Sequence, residues 1–432
     1  MPPLFIHHPE AQEGDAPLVA RAGDLVFVGG GIAHHPRQGI PEACRPVPGY
    51  PNHWSQINRD LTFVYDTLNG ALEQAGSDLR QMMKLNSFHT RAEDTFEGLR
   101  LRREWFGSDA PPASTLVLVP ELPVQGARAL IDGVALAGDA ALPRRAVSTG
   151  TPGAPMPPHE RIWGYKIYSK LVRGGGFVFT SGRTNNVIGG AADNPSVRDP
   201  VRPHARNRPA AATRTILDYL RAALADIGAD FSHVVKAEIH LDDPRHLAEI
   251  EPVWREAFGE RGPARSVVTT GFPTDNTIIE VELVAVDPEG PYRAEPIVLD
   301  DLGPPLGAEP HAVRAGPYLF LSGQLPTDGV HPLHPKARPD PGCPFHQSPA
   351  RLQAAVAIDR VERLCAAAGG SLQTVLRRRL ALCDLSWQAV VDEVWRERAG
   401  GLPPSSVFRT SGPLPLPEAG LQFDVVAWCG EG

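Results

Sequence analysis

Apolar residues follow a period-two, strand-like pattern at Leu25 to Val28. They recur with a 3.6-residue period from Arg214 to Ile227, and return to the strand pattern from Val234 to Leu241. These patterns recur along the chain. RAGDLVFVGG begins at Arg21, RGGGFVFTSG at Arg173 and RAGPYLFLSG at Arg314, at offsets of 152 and then 141 residues. The same offsets relate Gly76, Gly228 and Gly369, each of which follows an amphipathic helix and suits a left-handed C-terminal cap. They also place Lys84, Lys236 and Arg377 in register. A second helical segment carries Trp105, Trp254 and Trp395, and is followed by a proline (Pro111, Pro263, Pro403) and closing strands. Each unit therefore predicts strand, strand, helix, strand, helix, strand, strand. The fold class expected is α/β in three tandem copies.

Length agrees with this division: at roughly 100 to 200 residues per domain, 432 residues suit two to four domains. The 45 prolines and 42 glycines thicken at 144–158 and 291–307, which read as linkers. The expected domains are then 1–143, 159–290 and 308–432. Hydrophobic residues at 42% and charged residues at 21%, with no apolar run of 18 residues, exclude membrane-spanning helices and wholesale disorder. The opening MPPLFIHHPEAQEGD lacks a basic start followed by an apolar stretch, so a cytoplasmic location is expected. Five cysteines without CxxC spacing (Cys44, Cys343, Cys365, Cys383, Cys429) fit reduced thiols. A net charge of −8 argues against nucleic acid as a partner, because phosphate backbones are bound by basic patches.

From Pro263 the middle copy reads PARSVVTTGFPTDNTIIEVELVAVD, preceded by GYKIYSKLVRGGGFVFTSG, the helix AATRTILDYLRAALADIGADFSHVVKAEIHL and VWREAFG. This sequence resembles the Rid (RidA, YjgF) family of imine and enamine deaminases over most of residues 160–290. The resemblance implies a chorismate-mutase-like α/β fold and, since family members are typically trimers with a ligand cleft between adjacent subunits, an intramolecular pseudo-trimer. Carried over residue by residue, it implies Arg265 as the anchor of a substrate carboxylate and Glu280 as the group that handles water. Tyr168 completes the catalytic set, and Ser181, Gly182 and Val267 join Arg265 in binding substrate. The family's asparagine, three residues before Trp254, is Glu251 here. In the outer copies the arginine position aligns with Ala113 and Ser405, the tyrosine position with Ala16 and Glu309, and the glutamate position with Asp132 and Gln422. One working cleft per chain is expected, with Gly30, Gly182 and Gly323 in equivalent places.

The chemistry suits those residue types. A guanidinium offers a carboxylate two parallel charge-assisted hydrogen bonds, and a carboxyl group whose pKa is raised by burial can exchange protons with water at neutral pH. An internal Arg265–Glu280 ion pair is the bland alternative. The expected function is hydrolytic deamination of a small carboxylate bearing an imine, enamine or related carbon–nitrogen bond. The alternatives are amide hydrolysis or a biosynthetic elimination on the same scaffold, or non-catalytic binding of a small ligand. RNA cleavage is disfavoured by the acidic balance.

Other clusters carry less. His7, His8, His34, His35, His53 and His89 lack metal-ligand spacing, and RGGGF and VGGGI do not form a dinucleotide fingerprint, so neither metal nor organic cofactor is expected. Arg198, Arg202, His204, Arg206 and Arg208 read as a solvated basic loop. In Arg377, Arg378 and Arg379, alternation puts the middle residue on the opposite face from the other two. The partners expected are a small carboxylate substrate and no membrane, with self-association of pseudo-trimers left open.

Overall fold

The computed structural model describes residues 2–45, 56–107, 109–147, 167–184, 208–274 and 277–430. His53, Arg198, Arg202, His204 and Arg206, together with most of the 144–158 segment, lie outside them.

Three sheets with one strand order follow each other along the chain. In the first, β1 (Leu4–Ile6), β2 (Val19–Ala22), β3 (Leu25–Ile32), β4 (Met82–His89), β5 (Ala113–Leu118) and β6 (Ala129–Leu136) lie in the order 1-2-3-6-4-5. The second repeats this order with β7 (Arg145–Val147), β8 (Leu171–Gly174), β9 (Phe177–Thr180), β11 (Val234–Leu241), β12 (Ala264–Thr269) and β13 (Ile279–Val286). A short β10 (Arg183–Thr184) adds to β13. The third uses β14 (Ala294–Ile297), β15 (Ala312–Ala315), β16 (Tyr318–Leu321), β17 (Val375–Leu382), β18 (Ser405–Arg409) and β19 (Leu421–Trp428). The last two helices of each unit flank its central strand: α1 (Gln56–Gln74) and α2 (Asp94–Phe106), α3 (Arg208–Ala225) and α4 (Leu247–Phe258), α5 (Pro349–Ala367) and α6 (Gln388–Ala399). The second helix of each pair is the crossover that lets β4 and β5, β11 and β12, and β17 and β18 run parallel.

The glycine caps form as expected, with φ of 76°, 74° and 85° at Gly76, Gly228 and Gly369. The stretches read as linkers need correction. Arg145–Val147 pairs with β8, and Ala294–Ile297 with β15, so each stretch supplies an edge strand to a sheet. Pro296 fits there because an edge strand has one side free of ladder bonds.

Each sheet has two apolar faces. The outer one packs under its own helices, as where Ala237, Ile239 and Leu241 meet Ile216, Leu220 and Trp254. The inner faces share one interior, to which the repeats contribute Leu25 and Phe27, Phe177 and Phe179, and Tyr318 and Phe320. Tyr318 closes it by donating its hydroxyl to the Ala22 carbonyl at 2.7 Å. Burying roughly 150 to 250 Å² per aromatic ring makes this shared core a large part of what holds the sheets together.

The three joints between sheets are alike. Gly182 N–H donates to Ser114 O at 2.9 Å and Gly323 N–H to Arg265 O at 3.0 Å, while Gly30 lies against Ser405. Gly30, Gly182 and Gly323 therefore occupy equivalent places in a closed ring. The same contacts correct one alignment: Ser114, not Ala113, is the first-domain counterpart of Arg265 and Ser405. The proline preceding the strand matches Pro112 instead of Pro111.

Inside each joint a buried cation crosses to an acid of the next domain. Lys84 pairs with Glu282 at 2.8 Å, Lys236 with Asp424 at 2.5 Å and Arg379 with Asp132 at 2.6 Å. Thr115, Ser266 and Ser406, from equivalent strand positions, each donate a hydroxyl to the same acids. Burial works to raise the carboxyl groups of Glu282 and Asp132, but Lys84 and Arg379 in the first case and Arg379 in the second hold them below the usual range. Asp132 is thus the counterpart of Glu282 and Asp424. The glutamate position of Glu280 is Leu130 in the first domain, since β4 pairs Phe88 with Leu130 where β11 pairs His240 with Glu280. Arg378, as alternation requires, turns the other way, to Asp392 at 2.6 Å under the helices.

Candidate functional site

The residues expected to form one site divide between two joints. On β11, Arg265 lies opposite Ala237 and Glu280 opposite His240, three residues apart. An odd separation puts them on opposite faces of the sheet. Ala237 belongs to the core under the helices, whereas His240 lines a cavity of about 20 Å³ on the inner side. Arg265 therefore faces α4 and the third domain, and Glu280 the inner side and the first domain. Neither a shared site nor an Arg265–Glu280 ion pair forms.

At the second joint Arg265 is already occupied. Its Nη2 lies 2.8 Å from Glu251 and 2.6 Å from Glu309, and its guanidinium carbon is 5.2 Å from the centre of the Trp254 ring. Glu251 also accepts from the Ala308 N–H at 2.8 Å, so the segment entering the third domain closes over the arginine. Burial, and then Glu251, raise the Glu309 carboxyl against the pull of Arg265. Val267, two residues on, belongs to the second domain's helix-side core.

At the first joint lie Glu280, Tyr168, Ser181 and Gly182 of the second domain. Ser181 accepts the Ser114 N–H at 2.8 Å and donates to Ser169 O at 2.6 Å, so its hydroxyl and the Gly182 N–H fasten the joint. A Cβ on Gly182 would overlap the Glu280 carboxyl and lie 2.5 Å from Thr115 Oγ1. Glycine is what lets that carboxyl sit between the two domains. Glu280 is 5% exposed. Burial, and then the charge of Glu282, push its pKa up to about 8 against Lys84. Tyr168, half-buried, precedes Ser169, whose N–H and hydroxyl bond to Pro112 O and Pro111 O of the first domain.

Sequence reasoning missed Arg102. It lies on α2 three residues before Trp105, the place held by Glu251 before Trp254 and Asp392 before Trp395. Its Nη1 donates to Ser114 Oγ at 2.6 Å and its Nη2 to Ser87 Oγ at 2.9 Å. It is 4% exposed, and burial lowers its pKa. Beside it, burial and the Arg102 charge hold the His89 imidazole down at about 3, hence neutral. The signal was available in the repeat: arginine and polar residue have exchanged places, Arg102 with Ser114 in the first domain and Glu251 with Arg265 in the second.

Residues 160–287 match the family model described as Endoribonuclease L-PSP. A RutC family protein of Pyrococcus abyssi is 27% identical over 118 residues, which are 27% of this chain and 84% of that protein. A crystal structure of a YjgF/YER057c/UK114 family member from Mycobacterium tuberculosis aligns at 28% identity over 33% of this chain and 98% of its own, with a TM-score of 0.24. A chorismatase structure aligns at 12% identity over 81% of this chain and 93% of its own, with a TM-score of 0.47. The Rid/YjgF resemblance of the middle copy falls on the matched segment, and residues 160–287 are accordingly similar to a domain of that family.

Proposed function

We propose that the chain is a hydrolase that adds water to the carbon–nitrogen double bond of a small carboxylate, and that its working cleft is the first joint. The observation that carries this reading is the Glu280 carboxyl, set between Gly182 and Thr115 with a pKa of about 8. At pH 7 it is mostly protonated and gives its proton to the imine nitrogen, which makes the carbon electrophilic. The carboxylate so formed takes a proton from the attacking water as the carbon–oxygen bond forms. Returned to the amine, that proton lets it leave as ammonia, and the hydroxyl proton given up as the carbonyl forms restores the acid on Glu280. Tyr168, entering the joint from the second domain, orients the nitrogen or the water. The second joint is closed by Glu251 and Glu309, which occupy Arg265, the expected anchor.

The test is ammonia release from a 2-imino acid generated in the assay by an amino-acid oxidase. Glu280→Gln keeps the shape and removes the proton, and should lower the rate by about 10²- to 10⁴-fold. Full activity in that variant would place the chemistry elsewhere. Amide hydrolysis and elimination are separated by their products, an amine with an acid in one case and an alkene in the other.

A further inference from the structure

The buried guanidinium of Arg102 has no carboxylate within ion-pairing distance among the described residues: it donates to the Ser114 and Ser87 hydroxyls and lies beside the hydroxyl of Tyr65, all neutral groups. Its counterparts are neutralised: Arg265 by Glu251 and Glu309, Arg378 by Asp392. A charge held away from water without a counter-ion is costly, and the two other domains avoid this with a helix-borne acid at the very place where the first domain puts the arginine itself. The acid from the neighbouring domain is missing as well. Counted back 14 residues from Gly323, Glu309 meets Arg265; the same count from Gly182 reaches Tyr168.

We infer that Arg102 is the anion-binding residue of the first joint and takes a small carboxylate there, as Arg265 takes Glu309 at the second. Ser114 and Ser87 accept from the guanidinium at 2.6 and 2.9 Å, and being neutral they leave its charge, among the described residues, for a ligand to balance. The size of the ligand follows from the neighbouring joint, where one side-chain carboxylate fills the equivalent place. Neutral His89 brings no competing positive charge. The carboxylate bound in this way is the substrate's own, an identification that rests on the reading of the first joint as the working cleft. The binding itself does not depend on turnover.

Pyruvate, the hydrolysis product of 2-iminopropanoate, is the probe, titrated calorimetrically into the full chain with inorganic phosphate as a second arm. One pyruvate per chain is expected. Arg102→Met should weaken it by about 10- to 100-fold, the scale of one or two charge-assisted hydrogen bonds. Ser114→Asp supplies Arg102 with an internal carboxylate, as Glu251 does for Arg265, and should abolish binding in a chain that folds at least as stably. This second variant keeps the test decisive if Arg102→Met fails to fold. Undiminished binding in a folded Ser114→Asp chain, or no pyruvate binding by the parent, overturns the inference; tighter binding of phosphate overturns the carboxylate assignment. Unimpaired turnover by Glu280→Gln with Arg102-dependent binding intact would overturn only the catalytic reading.

Discussion

Removing the ionisable group at Glu280 should cost activity and yet stabilise the protein at alkaline pH. In the folded chain this carboxyl titrates near 8, pushed there by burial and by Glu282, whereas an unfolded glutamate titrates near 4.3. Because the folded value lies above the unfolded one, the folded state holds a proton that the unfolded state has released throughout the interval between them. Stability contributed by that proton is complete below pH 4.3 and is lost as pH rises through 8. At about 1.4 kcal/mol per pH unit, the loss approaches about 5 kcal/mol for this nearly solvent-free side chain. Glu280→Gln carries no such dependence. Parent and variant are compared by guanidinium denaturation at intervals from pH 5 to pH 9, so that contributions from the other buried acids cancel in the difference. The variant should gain on the parent steadily up to about pH 8, and then level off. Curves that stay parallel across the range would refute the placement of an unpaired carboxyl at this joint, and with it the supply of an acid for catalysis.

The same titration makes kcat/KM of the parent fall above about pH 8, where Glu280 loses the proton it must donate, as a pH–rate profile would reveal. Lys236→Met takes away the 2.5 Å partner of Asp424 but leaves it Arg377 at 3.4 Å, and should destabilise the chain by about 1–3 kcal/mol, read from the shift in denaturation midpoint. Arg265→Ala strips Glu251 and Glu309 of their cation. It should destabilise by a similar amount, with the loss shrinking as pH falls and the carboxyl groups protonate, while pyruvate binding persists; calorimetry checks both. Gly182→Ala pushes a methyl group into the Glu280 carboxyl and should cost about 1–3 kcal/mol together with most of the activity, measured by denaturation and ammonia release.

Self-similarity made the architecture legible. Offsets that align Gly76, Gly228 and Gly369 also align Lys84, Lys236 and Arg377; the glycines all cap helices and the three cations are all buried, but at the third joint the cation that crosses to the next domain is Arg379, two residues on. The first strand of each unit stayed hidden because β7 and β14 are short edge strands within proline-rich sequence, where few ladder bonds constrain composition. The site was legible in its residues but not in its grouping. Arg265 and Glu280 stand on neighbouring stretches of one sequence signature, and only the register across β11 reveals that they face opposite sides. Arg102 was harder to read because at the position three residues before each tryptophan the other two copies carry acids, Glu251 and Asp392, of opposite charge. Ser114 was displaced by one residue because the prolines before β5 are doubled at Pro111 and Pro112.

The ring is closed within a single polypeptide, and this frees its three joints from having to be the same. In a trimer of separate identical subunits a substitution at one interface appears at all three, and assembly weakens on dilution. Here the linking segments keep the local concentration of each domain high whatever the concentration of the protein. Glu309 can then stopper one joint, Gly29 and Gly30 can press against Pro404 and Ser405 at another, and the third can hold Arg102 against serine hydroxyls. Duplication in tandem thus permits a division of labour in which two interfaces supply cohesion and the remaining one is free to specialise.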